Sequence, residues 1–240
     1  MKIYKKILSF GCSFTEGNGL ETPYYHQYLS SNLGNKNNLE LETIYRDYMY
    51  NNSYPAYLAR NLNCDFDNFA VSGSSNSLIF KKLYEKTQNV ENGSDLLVTV
   101  QTTLLSRIMV YDIKQEKFLT ISNFERILDY AKKYYEMYLR HFYDKEIEYR
   151  NLLQNIEVHT KYLQSKNINV VWLMYETGDT LKSSKTILTF DGTDLSQFIA
   201  NQKLRLLDLP NFPVNNQHFS VEGHEVIANR IIEHLKGKYD

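Results

Sequence analysis

A serine and a histidine stand near opposite ends of the sequence, each in a setting suited to acyl transfer. Ser13 follows the apolar run Ile3–Phe10 and lies between Gly11 and Gly17, which let the backbone turn tightly around it. His218 directly precedes a segment with helical apolar spacing. A serine hydroxyl needs a base to become a nucleophile, and a loop histidine can supply one. The pair therefore predicts nucleophilic catalysis at an acyl carbon.

Either residue alone would also fit an ordinary structural role. Ser13 taken by itself is typical of a polar turn that caps a helix. The nucleophile elbow G-x-S-x-G is absent, because Gly17 follows Ser13 by four positions and not two. His224 falls within the first turns of the last predicted helix, and we expect it to be structural. The prediction of catalysis thus depends on Ser13 and His218 coming together.

Other residues that could carry chemistry lack the necessary spacing. Three other histidines and both cysteines form no metal-binding pattern, so we expect neither metal nor cofactor. Two cysteines without such a pattern indicate reduced thiols. These residues are His26, His141, His159, Cys12 and Cys64.

Composition narrows the partners that we expect. The 240 residues carry a net charge of −1 without a basic run, which argues against nucleic acid or an anionic membrane surface. No stretch approaches the roughly 18 apolar residues of a membrane span. The opening MKIYKKILSF has too short an apolar run for a secretory signal, and we interpret it as a strand. A cytoplasmic location is therefore predicted.

Short apolar segments alternate with segments of helical periodicity along the chain. This alternation predicts a mainly parallel sheet with helices on both faces, in one α/β domain over residues 1–240. Residues 177–209 are interpreted as irregular, and the segments 18–52 and 122–164 as covers over the strand ends. The predicted strands are Ile3–Phe10, Asp65–Val71, Asp95–Gln101 and Asn169–Tyr175, and the helices begin at Ser53, directly after the turn that ends at Asn76, at Ser122 and at Val221.

Three blocks of the sequence resemble the SGNH, or GDSL-type, hydrolase family. Gly11–Gly17 is similar to its first block, with Cys12 where the family usually has Asp. Asn68–Asn76 is similar to the second block and His218–His224 to the last. The resemblance implies a three-layer α/β/α, flavodoxin-like fold. It also implies Ser13 as nucleophile, His218 as base and the Gly73 N–H as an oxyanion donor.

Two positions depart from the family pattern. The Asn that donates to the oxyanion after the central strand is absent, and Gln101, Thr102 or Thr103 stands there instead. The Asp that usually precedes the catalytic histidine by three residues is replaced by Asn215, so Asp208 or Glu222 is an alternative acid. The predicted catalytic set is Ser13, His218 and Asn215, and the predicted oxyanion and substrate-binding set is Gly73, Asn76 and Thr102.

The resemblance implies a serine esterase that acts through an acyl-serine intermediate. Its substrate would be a small acyl ester, either a carbohydrate O-acetyl group or a lipid ester. Two alternatives stay open from the sequence. One is transfer of the acyl group to another hydroxyl, and the other is a binding or assembly protein on the same fold that has lost catalysis.

Overall fold

The computed structural model describes residues 2–21, 38–112, 116–121, 129–177, 186–209 and 216–237. The predicted helix start at Ser122 and the predicted catalytic residue Asn215 lie outside these ranges.

Five parallel strands form the central sheet, and two further strands form a separate antiparallel hairpin. The sheet order is β2-β1-β3-β6-β7, and the hairpin pairs β4 with β5. The strands are β1 (Lys6–Phe10), β2 (Asp65–Asn68), β3 (Leu96–Gln101), β4 (Ile108–Asp112), β5 (Lys117–Ile121), β6 (Asn169–Leu173) and β7 (Ile187–Leu188).

Eight α-helices and one short 3-10 helix, Leu206–Asp208, occur in the described ranges. None of these helices has both the length and the apolar character that crossing a bilayer requires. The α-helices are α1 (Ser13–Glu16), α2 (Asn38–Asn52), α3 (Tyr54–Leu62), α4 (Asn76–Thr87), α5 (Asp129–His141), α6 (Lys145–Ser165), α7 (Leu195–Asn201) and α8 (Val221–Gly237).

The sheet buries both of its faces, because successive side chains along each strand point to opposite sides. Ile7 and Leu97 belong to a core that also contains buried residues of α3, α7 and α8. Their neighbours Leu8 and Val98 belong to a second core that contains residues of α4 and α6. The predicted fold class, a parallel sheet between two helical layers, is confirmed.

The structure differs from the sequence-based expectation in three segments. Residues 38–52 form a helix, which the sequence pattern of segment 18–52 does not predict. The segment 177–209, interpreted as irregular, contains β7, α7 and the 3-10 helix. Within 122–164, α6 is a layer helix and not a cover, since Leu152 and Ile156 are buried in the second core.

Candidate active site

The three predicted site turns follow three adjacent strands. β1 lies between β2 and β3, and all three run parallel, so their carboxyl ends meet at one edge. Ser13 follows β1, Gly73 follows β2 and Thr102 follows β3. Ligands of open α/β sheets bind where the strand order reverses, outside the carboxyl ends of the strands. This edge is therefore the candidate site.

Ser13 is the first residue of the one-turn helix α1, and Cys12 is its N-cap. Gly11 is required before it, because a Cβ there would collide with the Thr15 side chain. Gly17 ends the turn with φ +88°. Ser13 is 4% exposed, and its hydroxyl forms no hydrogen bond with a described residue. The hydroxyl is thus positioned by backbone geometry and not by a side-chain partner.

Side-chain amides join the Ser13 turn to the turn that carries Gly73. Asn68 Nδ2 donates to the Thr15 carbonyl at 2.9 Å, and Asn18 Nδ2 donates to Ser72 Oγ at 3.0 Å. Gly73 has φ +78°, a conformation that favours glycine. Neither its N–H nor that of Ser13 donates to a described residue, so both are available to an acceptor.

The other two predicted binding residues lie at the same edge but are engaged within the fold. Asn76 pairs with the Thr103 backbone, accepting its N–H at 2.8 Å and donating to its carbonyl at 3.3 Å. The Thr102 hydroxyl donates to the Leu173 carbonyl at 3.3 Å and accepts the Tyr175 N–H at 3.0 Å. The single proton of that hydroxyl is therefore not directed at a ligand.

An aromatic cluster brings the C-terminal histidine to the Ser13 turn. The ring centroid of Phe14, the residue after Ser13, lies 4.7 Å from that of His218 and 4.9 Å from that of Phe219. The Phe14 ring also stacks on the Tyr175 ring, with their centroids 4.4 Å apart. Residues from the first strand end and the last loop therefore share one packed cluster.

Asn216 orients the His218 ring. Its Oδ1 accepts the His218 backbone N–H at 2.9 Å and lies 2.7 Å from His218 Nδ1. Because a backbone N–H can only donate, the shared amide atom is the oxygen, and the proton is on Nδ1. Nε2 then keeps its lone pair. Sequence reasoning placed this role on Asn215, which lies outside the described residues, and missed Asn216.

The segment around the 3-10 helix holds the histidine loop. The Leu206 N–H donates to the His218 carbonyl at 2.8 Å, and the Leu207 N–H donates to the Asn216 carbonyl at 3.0 Å. Of the two alternative acids, Asp208 accepts hydrogen bonds from the N–H and the Nε of Arg205. The other, Glu222, is exposed on α8. No hydrogen bond joins either described carboxylate to His218.

The electrostatic surroundings keep His218 neutral. Burial of the ring, together with the positive charge of Arg107, lowers the pKa of His218 from 6.5 to about 4. At neutral pH the imidazole is therefore unprotonated and can accept a proton at Nε2.

His224 has the structural role that the sequence predicts. It is fully buried, and its Nδ1 accepts the Tyr54 N–H at 3.1 Å at the start of α3. Burial lowers the pKa of His224 to about 3. Its ring thus links α8 to α3 only while it stays neutral.

Acid is expected to destabilise the fold through these two histidines. Both have folded-state pKa values below the ordinary 6.5, so the unfolded chain binds their protons first as the pH falls. The free energy of unfolding therefore has its full value above pH 6.5. Below that pH it decreases by about 1.4 kcal/mol per pH unit for each histidine. Urea unfolding between pH 7 and pH 5 measures this slope. His224→Asn keeps an acceptor without a titrating ring and should flatten the slope, whereas His141→Asn on the surface should not; an equal slope in both variants would contradict the assignment.

The described residues contain no group of three or more His, Cys, Asp or Glu side chains arranged to hold a metal ion. Cys12 is buried and Cys64 partly buried, and neither forms a disulfide.

Comparisons with known proteins give distant likenesses of structure. No family model and no curated protein matches the sequence. A protein from Desulfitobacterium hafniense DCB-2, named for the G-D-S-L lipolytic family, is 14% identical with a TM-score of 0.36, over 96% of this chain and 99% of its own. One from Parabacteroides merdae ATCC 43184, named GDSL-like lipase, is 15% identical with a TM-score of 0.41, over 98% and 97%. A carbohydrate esterase is 14% identical with a TM-score of 0.43, over 98% of this chain, which spans only 65% of the esterase. The solved structures that resemble this chain thus include two named for the GDSL family and one named a carbohydrate esterase.

Proposed function

We propose that this protein hydrolyses a small acyl ester through an acyl-Ser13 intermediate. One observation carries the proposal. His218 is neutral, its Nδ1–H is held by Asn216, and its ring packs on Phe14, the residue that follows Ser13. A neutral imidazole with its Nε2 lone pair available, held against the residue that follows the serine, is suited to act as the base in nucleophilic catalysis.

In the acylation step, Ser13 Oγ attacks the ester carbonyl carbon and its proton passes to His218 Nε2. The carbonyl oxygen becomes an oxyanion, for which the N–H groups of Ser13 and Gly73 are the available donors. Collapse of this intermediate breaks the bond to the alcohol oxygen, which takes the proton from Nε2. The products are an alcohol and acyl-Ser13.

Deacylation repeats the sequence with water as the nucleophile. Water gives a proton to His218 Nε2 and attacks the acyl carbon, and the same two N–H groups stabilise the second oxyanion. When that intermediate collapses, the proton returns to Ser13 Oγ and a carboxylic acid leaves. A sugar or lipid hydroxyl in place of this water would give acyl transfer. Small acyl groups fit the proposal, because Phe14, the residue after Ser13, is already packed against Tyr175 and His218.

A fluorophosphonate probe tests the proposal directly, because it reacts only with an activated serine. We expect the intact mass to increase by one phosphonyl group, with the modified peptide containing Ser13. Ser13→Ala should abolish labelling, whereas Ser77→Ala, an exposed serine on α4, should leave it unchanged. A folded protein that is not labelled, or is labelled at another residue, would contradict the assignment.

A second candidate, a binding protein on the same fold, has one observation in its favour. The partner of His218 is an amide and not a carboxylate, so no negative charge stabilises the imidazolium that forms during catalysis. The described structure also has no hydrogen bond between Ser13 and His218. Absence of labelling, together with binding of a non-hydrolysable acyl ligand, would favour this candidate.

A further inference from the structure

Arg107 joins two of the loops that form the candidate site. It follows β3, and its Nη1 donates to Thr103 Oγ1 at 2.8 Å and to the Ser74 carbonyl at 3.3 Å. The second contact attaches it to the turn that carries Gly73. The guanidinium is thus held at the edge where the three strand ends meet.

Arg107 has no acidic partner in the part of the chain that the structure describes. Among the described residues, no Asp or Glu forms an ion pair with Arg107, although it is only partly exposed. Glu176, the acid after neighbouring strand β6, is occupied elsewhere: it accepts the Leu105 N–H at 2.8 Å and faces Lys145 at 3.7 Å. A partly buried charge without a counter-ion is costly, and an anionic ligand would relieve that cost.

Two buried polar atoms beside this charge also lack partners. Arg107 Nε and Ser74 Oγ are both inaccessible to solvent, and neither forms a hydrogen bond. The two atoms belong to residues that are joined by the hydrogen bond from the guanidinium to the Ser74 carbonyl. Buried polar groups are nearly always hydrogen-bonded in folded proteins, so these two exceptions leave hydrogen-bonding capacity unused at this edge of the sheet.

The charge acts on the residues of the proposed catalytic site. Arg107 contributes to the lowered pKa of His218, and it also acts on Tyr175, whose ring stacks on Phe14. The charge of the guanidinium is therefore felt at the proposed base.

We propose that Arg107, with the Ser74 hydroxyl beside it, binds a carboxylate of the substrate, so that the substrate is an acidic ester. This inference rests on the proposed esterase function. We assign Arg107 to ground-state binding and not to the oxyanion. No described carboxylate compensates its charge in the resting protein, and the N–H groups of Ser13 and Gly73 are available to the oxyanion. One guanidinium matches a monoanion such as a carboxylate.

The first test compares two esters of similar size, p-nitrophenyl butyrate and mono-p-nitrophenyl succinate, which differ in a terminal carboxylate. In Arg107→Gln we expect the ratio of kcat/KM for succinate over butyrate to fall about 10-fold or more, and Arg107→Lys should recover part of it. Arg140→Gln, an exposed arginine on α5, is the matched control and should keep the ratio. An equal loss of kcat/KM on both esters would mean that Arg107 serves the reacting oxygen. An unchanged kcat/KM on both would mean that Arg107 is not part of the site. Either result overturns the proposal.

The second test does not depend on turnover. Monomethyl succinate is titrated calorimetrically into Ser13→Ala and into the double variant with Arg107→Gln, with methyl butyrate as the neutral control. We expect succinate affinity to fall at least about 10-fold in the double variant. Failure of Ser13→Ala to bind it overturns the carboxylate site. If binding depends on Arg107 but the protein has no esterase activity, the carboxylate site is supported and the proposed function is wrong. If the protein hydrolyses esters but shows no such binding, the proposed function is supported and the carboxylate site is wrong.

Discussion

Ser13→Ala and His218→Ala are each expected to lower kcat for a short activated ester by at least about 10³-fold, and the double variant to be little worse than either. The reason is that the serine and the histidine act as one unit: without the base the hydroxyl is not activated, and without the hydroxyl the base has nothing to deprotonate. The measurement is a double-mutant cycle on kcat/KM with purified protein.

Circular dichroism and urea unfolding serve as controls for this cycle. Ser13 makes no side-chain hydrogen bond with a described residue, so Ser13→Ala should fold normally. Losses that multiply in the double variant would show that His218 is not the base for Ser13. Full activity in folded Ser13→Ala would remove the serine from the mechanism.

The second large effect is expected at Asn216. Asn216→Asp places a carboxylate 2.7 Å from His218 Nδ1, which stabilises the protonated ring and should raise the His218 pKa by roughly 1–3 units. A stronger base, with charge to support the imidazolium, should raise kcat roughly 10- to 100-fold at pH 8. At low pH the effect on the rate is the opposite, and Asn216→Asp should lower activity there. Activity requires the unprotonated ring, so the acidic limb of the pH–rate profile should move to higher pH by the same shift.

Asn215→Asp is the matched variant for this prediction, because it adds the same charge one residue away. The sequence pattern assigns the orienting role to Asn215, whereas the hydrogen bond belongs to Asn216. A larger increase in kcat for Asn215→Asp than for Asn216→Asp, with the acidic limb of the pH–rate profile unmoved in Asn216→Asp, would contradict the structure. The orienting role would then belong to Asn215.

Local signals in the sequence were sufficient for the elements that position the two reactive residues. Ser220 directly precedes the predicted helix start at Val221 and caps α8, since the Gly223 N–H donates to its Oγ at 3.1 Å. Ser53 is the N-cap of α3, with a proline in its first turn. Such signals act over three or four residues, so they can be recognised without knowing the tertiary structure.

Some features that were missed had signals too weak to stand out. α7 buries Leu195, Phe198 and Ile199 at helical spacing behind the cap Asp194, but it is only seven residues long. Asn216 accepts the N–H of the residue two positions on, which is the Asx turn that asparagine favours. That preference applies equally to the preceding asparagine, so the sequence alone does not distinguish the two.

Arg107 could not have been identified from its sequence neighbours. Its importance comes from what surrounds it in space: Ser74 from another loop, His218 from the far end of the chain, and no acidic partner among the described residues. A charge pattern along the chain does not reveal which cation lacks a counter-ion. Such information appears only with tertiary structure.

The contact of Phe14 with His218 and Phe219 has a consequence for the order in which the protein is made. Chains leave the ribosome N-terminus first, so the strand that ends before Ser13 is synthesised long before the loop that carries His218. Until α8 docks and brings that loop onto Phe14, the serine has no base near it. A nascent chain therefore carries the proposed nucleophile in an inert form, and the appearance of activity would report the last packing event of folding.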